Sequence, residues 1–214
     1  MADEIKFNSD STITFGAYTM TLTVGRYAVT GQSSSVSGYA SGGNPSTNVI
    51  DKFPFAADAN ATDVGDLTAA RYFPAGQSST VSGYTTAGYV NPTWTLTIDK
   101  FAFASDGNAT DVGDITQNMR AGADQSSLEN GYTSGGDTGG SLSNIIDKFP
   151  FASDANATDV GNLTVARSGV QGQSSLVSGY ASGGGNMNGG PAMSNVIDKF
   201  PFASDANATD VGDL

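Results

Sequence analysis

Four copies of one oxygen-rich run carry side chains that could do chemistry. Asp58, Asn60, Thr62 and Asp63 recur as Asp106, Asn108, Thr110 and Asp111, then as Asp154, Asn156, Thr158 and Asp159, then as Asp205, Asn207, Thr209 and Asp210. Alternating hard oxygens suit Ca2+, which takes about six to eight of them. The run lacks the glycine and the distant bidentate glutamate of an EF-hand loop. Asp, Asn and Thr also close turns through their own side chains. Turn closure is the expected role, and a Ca2+ site is the alternative. A second run, Gln32-Ser33-Ser34 with its copies at Gln77, Gln125 and Gln173, offers hydroxyl groups as nucleophiles. The chain has no His and no Cys, so neither a Ser-His nor a Cys-His pair can form. These runs are expected to make turn hydrogen bonds instead. Paired carboxylates could hydrolyse glycosides, but the acids here are mostly shared by every copy, whereas an active site needs asymmetry. No enzyme is expected.

The chemistry sits on a repeat. The phrase from Ile146 to Leu163 returns from Ile197 to Leu214, from Ile50 to Leu67, from Ile98 to Ile115 and, worn, from Ile5 to Leu22, the last residue always 17 positions after the first. A second phrase, Leu-Thr…Arg…Gln-Ser-Ser…Ser-Gly-Tyr…Gly, fills the gaps. From its Leu or Ile to Tyr39, Tyr84, Tyr132 or Tyr180 is again 17 residues. The stretch from Tyr to the next Ile is elastic, at 11, 14, 14 and 17 residues. Rigid spacing is what paired strands demand, because a one-residue slip turns every side chain to the other face. Variable length is what surface loops tolerate. The resulting period of 45 to 51 residues, with strand-like text, points to propeller blades.

Within each unit the pattern predicts strands around 22–30, 36–40 and 48–55 and a short one near Val64, and no window has helical periodicity. The units are 22–66, 67–114, 115–162 and 163–214. Residues 1–21 form a diverged half-repeat or N-terminal attachment strands. There is no long apolar run, so no membrane span is expected. The opening residues are neither basic nor apolar enough for a signal peptide. On that expectation the Asn-Ala-Thr triplets are read as coincidental glycosylation sequons. Net charge is −12. The basic residues (Lys6, Lys52, Lys100, Lys148, Lys199, Arg26, Arg71, Arg120 and Arg167) are scattered through the repeat rather than clustered. They are read as structural partners of Asp or of carbonyls, and nucleic-acid binding is not expected.

The order Arg, short polar strand, Tyr-x-x-Gly, Val-Ile-Asp-Lys-Phe, turn and Leu resembles the kelch repeat. The resemblance covers residues 22–214. It implies an all-β, kelch-like β-propeller of four-stranded antiparallel blades, with Arg in the first strand of each. The kelch Trp of the fourth strand is missing, replaced by Val64-Gly65-Asp66 and its equivalents. Four full repeats and an N-terminal half-repeat leave four or five blades open. The ring closes on four blades with residues 1–21 outside it, or it lacks strands that a partner chain or a longer polypeptide supplies. An unpaired edge invites another chain. The repeat wording is also similar to that of marine tailed-phage virion and tail-fibre-like proteins.

In a propeller the elastic loops gather on one side of the disc. They carry Tyr89, Trp94, Met187 and Met193, residue types favoured at contact surfaces, and these are the binding candidates. The functional expectation is a structural or adhesion component of a virion that contacts other protein subunits. The alternative is a secreted or surface lectin that binds glycans through its blade loops.

Overall fold

The computed structural model describes residues 5–7, 12–15, 18–21, 25–186 and 193–214, and these contain strands and no helix. Four antiparallel four-stranded sheets follow one another along the chain, each laid down strand by strand from one edge to the other. Blade 1 comprises Thr30–Ser33, Ser37–Ser41, Thr47–Pro54 and Thr62–Arg71. Blade 2 comprises Ala75–Ser78, Ser82–Thr86, Thr97–Ala102 and Thr110–Asp114. Blade 3 comprises Ala123–Ser126, Asn130–Ser134, Ile145–Pro150 and Thr158–Asn162. Blade 4 comprises Gln171–Ser174, Ser178–Ser182, Val196–Pro201 and Thr209–Asp213. Strands Ile5–Phe7, Thr12–Phe15 and Tyr18–Thr21 make a separate antiparallel sheet at the N-terminus.

The third strand of every blade pairs in one register with the second, so Tyr39 lies opposite Lys52 just as Tyr132 lies opposite Lys148. The register holds although the stretch from Tyr to the next Ile varies from 11 to 17 residues, so the loop takes up all the extra length. A bulge between Ile146 and Asp147 re-aims the fourth strand, and the same irregularity recurs in the other blades. The glycine of each Ser-Gly-Tyr is required by packing within the blade. The Phe101 ring lies over Gly83 so closely that an added Cβ would sit 2.3 Å from its Cζ.

Apolar cores form between blades. Tyr39, Ile50 and Leu67 pack with Phe101 and Ala109 of the next blade, and the 2/3 and 3/4 junctions repeat this set. Each tyrosine stacks on the second phenylalanine of the following blade. The centroid separations are 5.0 Å for Tyr39–Phe103, 4.9 Å for Tyr84–Phe151 and 4.9 Å for Tyr132–Phe202. Blades sandwiched in this way bury both sheet faces, which is why Ser82–Thr86 is buried along its whole length.

Two strand expectations are corrected. The first strand runs Thr30–Ser33 and so only begins at the last residue of the 22–30 window. The arginines lie ahead of the first strand, with Arg71 ending the fourth strand of blade 1. The Gln-Ser-Ser run is not simply a turn. Gln32 and Ser33 belong to the first strand, and only Ser34 closes the turn, its Oγ accepting from the Val36 and Ser37 amides. Gln32 faces the axis, where its Nε2 donates to the Tyr84 carbonyl and to Thr85 Oγ1 of blade 2. Gln77 and Gln125 repeat the bridge to Tyr132 and Tyr180. A polar residue read as turn chemistry is buried here because the neighbouring blade supplies its acceptors.

Candidate functional site

In the antiparallel topology the elastic loops and the blade-to-blade linkers lie on one side of the sheets, and the Ser-rich and Asp-rich turns on the other. On the loop side, the binding candidates Tyr89 and Trp94 come together. They face each other across a small hairpin, Tyr89–Val90 with Thr93–Trp94, with ring centroids 4.9 Å apart and nearly perpendicular. Tyr72 and Phe73 of the linker extend the cluster, Tyr72 lying 5.1 Å from Tyr89. The guanidinium of Arg120 lies 5.7 to 6.0 Å from the Phe73, Tyr89 and Trp94 centroids, within cation–π reach. The Trp94 ring packs on Gly139 of blade 3's loop, where a Cβ would come within 2.9 Å of the ring. This patch therefore welds the blade 2 loop to blade 3, and its cation is already in place. Met193 is not brought into it by any contact of the structure and is 88% exposed in the blade 4 loop. Met187 lies outside the described residues.

Arg120 reaches the cluster because it is one residue late. Arg26, Arg71 and Arg167 stand four residues after their Leu, and Arg120 stands five after Ile115. In blade 2 the buried Arg71 donates to Asp99 at 2.7 Å and to the Ala87 and Thr97 carbonyls, while Thr68 caps the same carboxylate. Arg167 and Asp198 repeat this at 2.8 Å. In blade 3 Met119 fills the arginine's place, fully buried, its carbonyl accepting from Gly88 as that of Arg71 accepts from Gly43. Arg120 pairs with Asp137 of the elastic loop instead. Asp147, the counterpart of Asp99, keeps its two hydrogen bonds from Thr116. Burial without the arginine pushes its carboxyl above the ordinary range, against those hydrogen bonds.

The Asp-x-Asn-x-Thr-Asp oxygens are directed to separate partners. Asp106 and Asp154 pair with Lys52 and Lys100 of the preceding blade at 2.9 and 2.8 Å, and Asp205 pairs with Lys148. Asn108, Asn156 and Asn207 each accept a backbone N–H of the preceding blade at 3.0 Å. Asp63, Asp111, Asp159 and Asp210 each accept from the glycine amide two residues on. Adjacent residues of the run thus serve three different partners, and among the described residues no three acids gather around one point. Asp58 and Asn60 belong to the blade with no described blade before it, and no partner is seen for either among the described residues.

The turn side carries apolar residues that the repeat pattern did not single out. Apolar turn residues are exposed at Val36, Val81, Leu128, Leu176 and Val177. Between blades 2 and 3 they line a cleft of about 460 Å3 with Phe151 and Glu129. Between blades 3 and 4 an equivalent cleft of about 230 Å3 is lined by Leu128, Leu176, Val177 and Phe202.

A further pocket of about 260 Å3 lies on the axis, walled by all four blades and including Asp124. Asp124 replaces the glycine found at Gly31, Gly76 and Gly172. Burial pushes its carboxyl up to about 6, against backbone N–H groups of Asp124 itself and Gly76 that favour the charged form. With a folded pKa above the unfolded value, the folded state holds more protons between pH ~4 and ~6, so stability falls as pH rises through that window. Above it the penalty is complete. Asp124→Asn is expected to flatten that slope and to raise stability at pH 7 by about 1 kcal/mol, a low figure because the residue is half-buried rather than sealed. Chemical denaturation at pH 4, 6 and 8 checks this.

The ends of the blade array differ from its interior. Phe53 of blade 1 is 38% exposed, whereas Phe101, Phe149 and Phe200 are 4%, 2% and 2% exposed. Leu214 is 76% exposed, against 2–3% for Leu67, Ile115 and Leu163. Gln173 is exposed where Gln32, Gln77 and Gln125 are buried.

Four-stranded antiparallel blades set side by side about an axis, joined by repeated glutamine bridges and Tyr–Phe stacks, define a β-propeller. No family model matches the chain, and no curated protein matches it in sequence. Many solved structures share the fold. One of them, YjhT, superposes with a TM-score of 0.77 at 10% identity, covering 90% of this chain. The chain spans 66% of that protein's length, and at this identity the likeness concerns the fold alone. Among the described residues no helix is long and apolar enough to cross a membrane.

Proposed function

We propose that the chain is a non-enzymatic structural and interaction protein, a multivalent scaffold of a phage virion or its tail. The observation that carries this reading is where the repeat's polar groups go. The Asp, Asn, Gln, Lys and Ser side chains shared by the blades hold one blade to the next, so the repeat works as mortar. The surfaces left for partners are apolar and recur from blade to blade, and repetition multiplies weak contacts into avidity. Placement in a virion rests on the likeness of the repeat wording to marine tailed-phage proteins. The test is mass spectrometry of density-purified, DNA-filled particles from an infected culture that encodes the chain. The chain is expected to sediment with the particles in several copies each, and its confinement to the particle-free fraction would overturn the placement.

A second reading, a glycan-binding propeller, draws support from the equivalence of the two turn-side clefts. Binding of the purified chain to a glycan array, lost on Leu128→Asp, would favour it over the scaffold.

A further inference from the structure

Asp124 breaks the repeat at a position where the repeat has little room. Its equivalents are Gly31, Gly76 and Gly172. A Cβ added at Gly76 would lie 2.4 Å from Thr30 Oγ1 and 2.6 Å from the Gly31 carbonyl oxygen. One added at Gly172 would lie 1.9 Å from the Asp124 carbonyl oxygen. Blade 3 nevertheless places a whole carboxylate there, lining the axial cavity of about 260 Å3. That carboxylate accepts from the backbone amides of Asp124 itself and of Gly76. Among the described residues no Lys or Arg answers its charge, whereas Asp99 and Asp198 each hold an arginine. A residue that breaks a local rule at a cost in stability, with no compensating contact inside the chain, marks a functional site.

The rest of the cavity is uncharged. Asp124 is the sole ionisable group in its lining. The neighbouring first strands, Ala75–Ser78 and Gln171–Ser174, carry no ionisable side chain. Tyr132, on the second strand of blade 3, has its ring in the 3/4 junction, stacked on Phe202. Arg120, on the linker into blade 3, is taken by Asp137 and the aromatic cluster. Three linker residues of the lining, Ala28, Phe73 and Ala121, have φ of 54° to 57° and bond one to the next, Phe73 N–H to the Ala28 carbonyl and Ala121 N–H to the Phe73 carbonyl, each at 2.9 Å. These backbone groups satisfy one another, so Val29, Phe73, Pro74 and Val170 offer the cavity apolar walls.

We propose that the axial cavity binds a primary ammonium group on a short alkyl stem, its head on the Asp124 carboxylate and its stem along those walls. The chemistry selects this class. A Ca2+ ion takes about six or more hard oxygens, which one carboxylate between apolar walls does not supply. A guanidinium fork is best met by a carboxylate with both oxygens free, and this one already accepts two amides. An ammonium head is a compact charge with three donors. The Thr30 hydroxyl and the Gln171 amide are further acceptors in the lining. Phe73 adds ring surface that attracts a cation. The volume falls below the roughly 300–1,000 Å3 of pockets for drug-sized ligands, so the stem is short. A net charge of −12 draws cations to the chain. Binding supplies the counter-charge that the fold leaves out, and so stabilises the folded state. The site is independent of the scaffold role.

The test follows the amide resonances of Gly76, Gly122 and Asp124 by NMR. The titrants, at constant ionic strength, are n-butylammonium chloride, Nα-acetyl-lysine amide and n-butanol. Both ammonium probes are expected to shift these resonances at millimolar concentrations, and n-butanol, the same stem without the charge, is not. Asp124→Asn, which should fold at least as stably as the wild type, is expected to bind the ammonium probes about tenfold more weakly, the scale of a charge-assisted hydrogen bond. Burial raises the Asp124 carboxyl to about 6, so it is mostly protonated at pH 5. The wild type should therefore bind about tenfold more weakly at pH 5 than at pH 7.5, while the ammonium probes stay charged at both. The variant should show no such dependence. Tighter binding of the lysine derivative would assign the head group to a lysine of a partner protein, and tighter binding of butylammonium to a free amine; either supports the site. The proposal is overturned if neither ammonium probe binds, if n-butanol shifts the same resonances as strongly, or if Asp124→Asn binds as tightly as the wild type.

Discussion

Arg71→Ala should destabilise the protein by about 3–5 kcal/mol, because it leaves the Asp99 carboxylate buried without its counter-charge. Both side chains are fully sealed from water. The guanidinium also donates to the Ala87 and Thr97 carbonyls at the two ends of blade 2's elastic loop; Thr97 keeps the Ala87 amide as a donor, while the Ala87 carbonyl loses its guanidinium partner. Blade 3 carries the natural comparison. There Met119 occupies the arginine's place and Asp147 stays buried beside it. Two substitutions to asparagine should therefore part company. Asp99→Asn strands the Arg71 charge and should cost about 3 kcal/mol or more. Asp147→Asn removes an uncompensated charge while an amide oxygen can still accept from Thr116, so at pH 7 it should be neutral or stabilising. Asp147 titrates above the ordinary carboxylate range in the folded state, so its burden on stability grows as pH rises through that raised value. The stability gap between Asp147→Asn and wild type should shrink on acidification. Urea melts of the three variants at pH 4.5 and 7.5 check both statements.

Gly172→Ala should be nearly as damaging, by about 3 kcal/mol, because its Cβ would lie 1.9 Å from the Asp124 carbonyl oxygen of blade 3. Backbone stands on both sides of that contact, so no side chain can turn away. Relief would require the first strand of blade 4 to back off from blade 3, which opens the Gln125 bridge to Tyr180. Gly31→Ala, the same change in the same repeat position, should fall within about 0.5 kcal/mol. Nothing but the Tyr39 carbonyl approaches Gly31, at 3.8 Å, because no described blade precedes it. Thermal melts of the two variants side by side read out the difference. Equal costs would mean that a neighbour presses on Gly31 as one presses on Gly172.

These pairs show how far a repeated text can be read. The invariant 17-residue spans mark strands that pair without slip, whereas the pairing of Tyr39 with Lys52 runs across an elastic loop and was supplied by the structure. That Tyr89 and Trp94 share one elastic loop was legible, and their contact across its hairpin came from the structure. Other assignments were out of reach because they depend on what lies across a junction. Gln32 reads as a turn residue until Tyr84 of the next blade offers its carbonyl. The Asp-x-Asn run reads as local turn closure until its Asp and Asn oxygens are seen to reach the preceding blade. The displacement of Arg120 was visible as one extra residue after Ile115. Its meaning, a methionine in a charge's place, required seeing that Met119 and Arg71 occupy equivalent positions.

By itself, then, the sequence determined the unit of this protein: its strands, its period, its elastic loops and the set of side chains that every blade offers. That follows from local physics, in which alternation, turn residues and rigid spacing act within about 50 residues. The tertiary structure alone decided which of those identical offers are met. Interior junctions bury their phenylalanines, alanines and closing Leu or Ile residues against a neighbour. At the two ends Phe53, Phe55 and Leu214 are exposed, because burial depends on whether a second surface is present, and that is a property of the array rather than of the repeat.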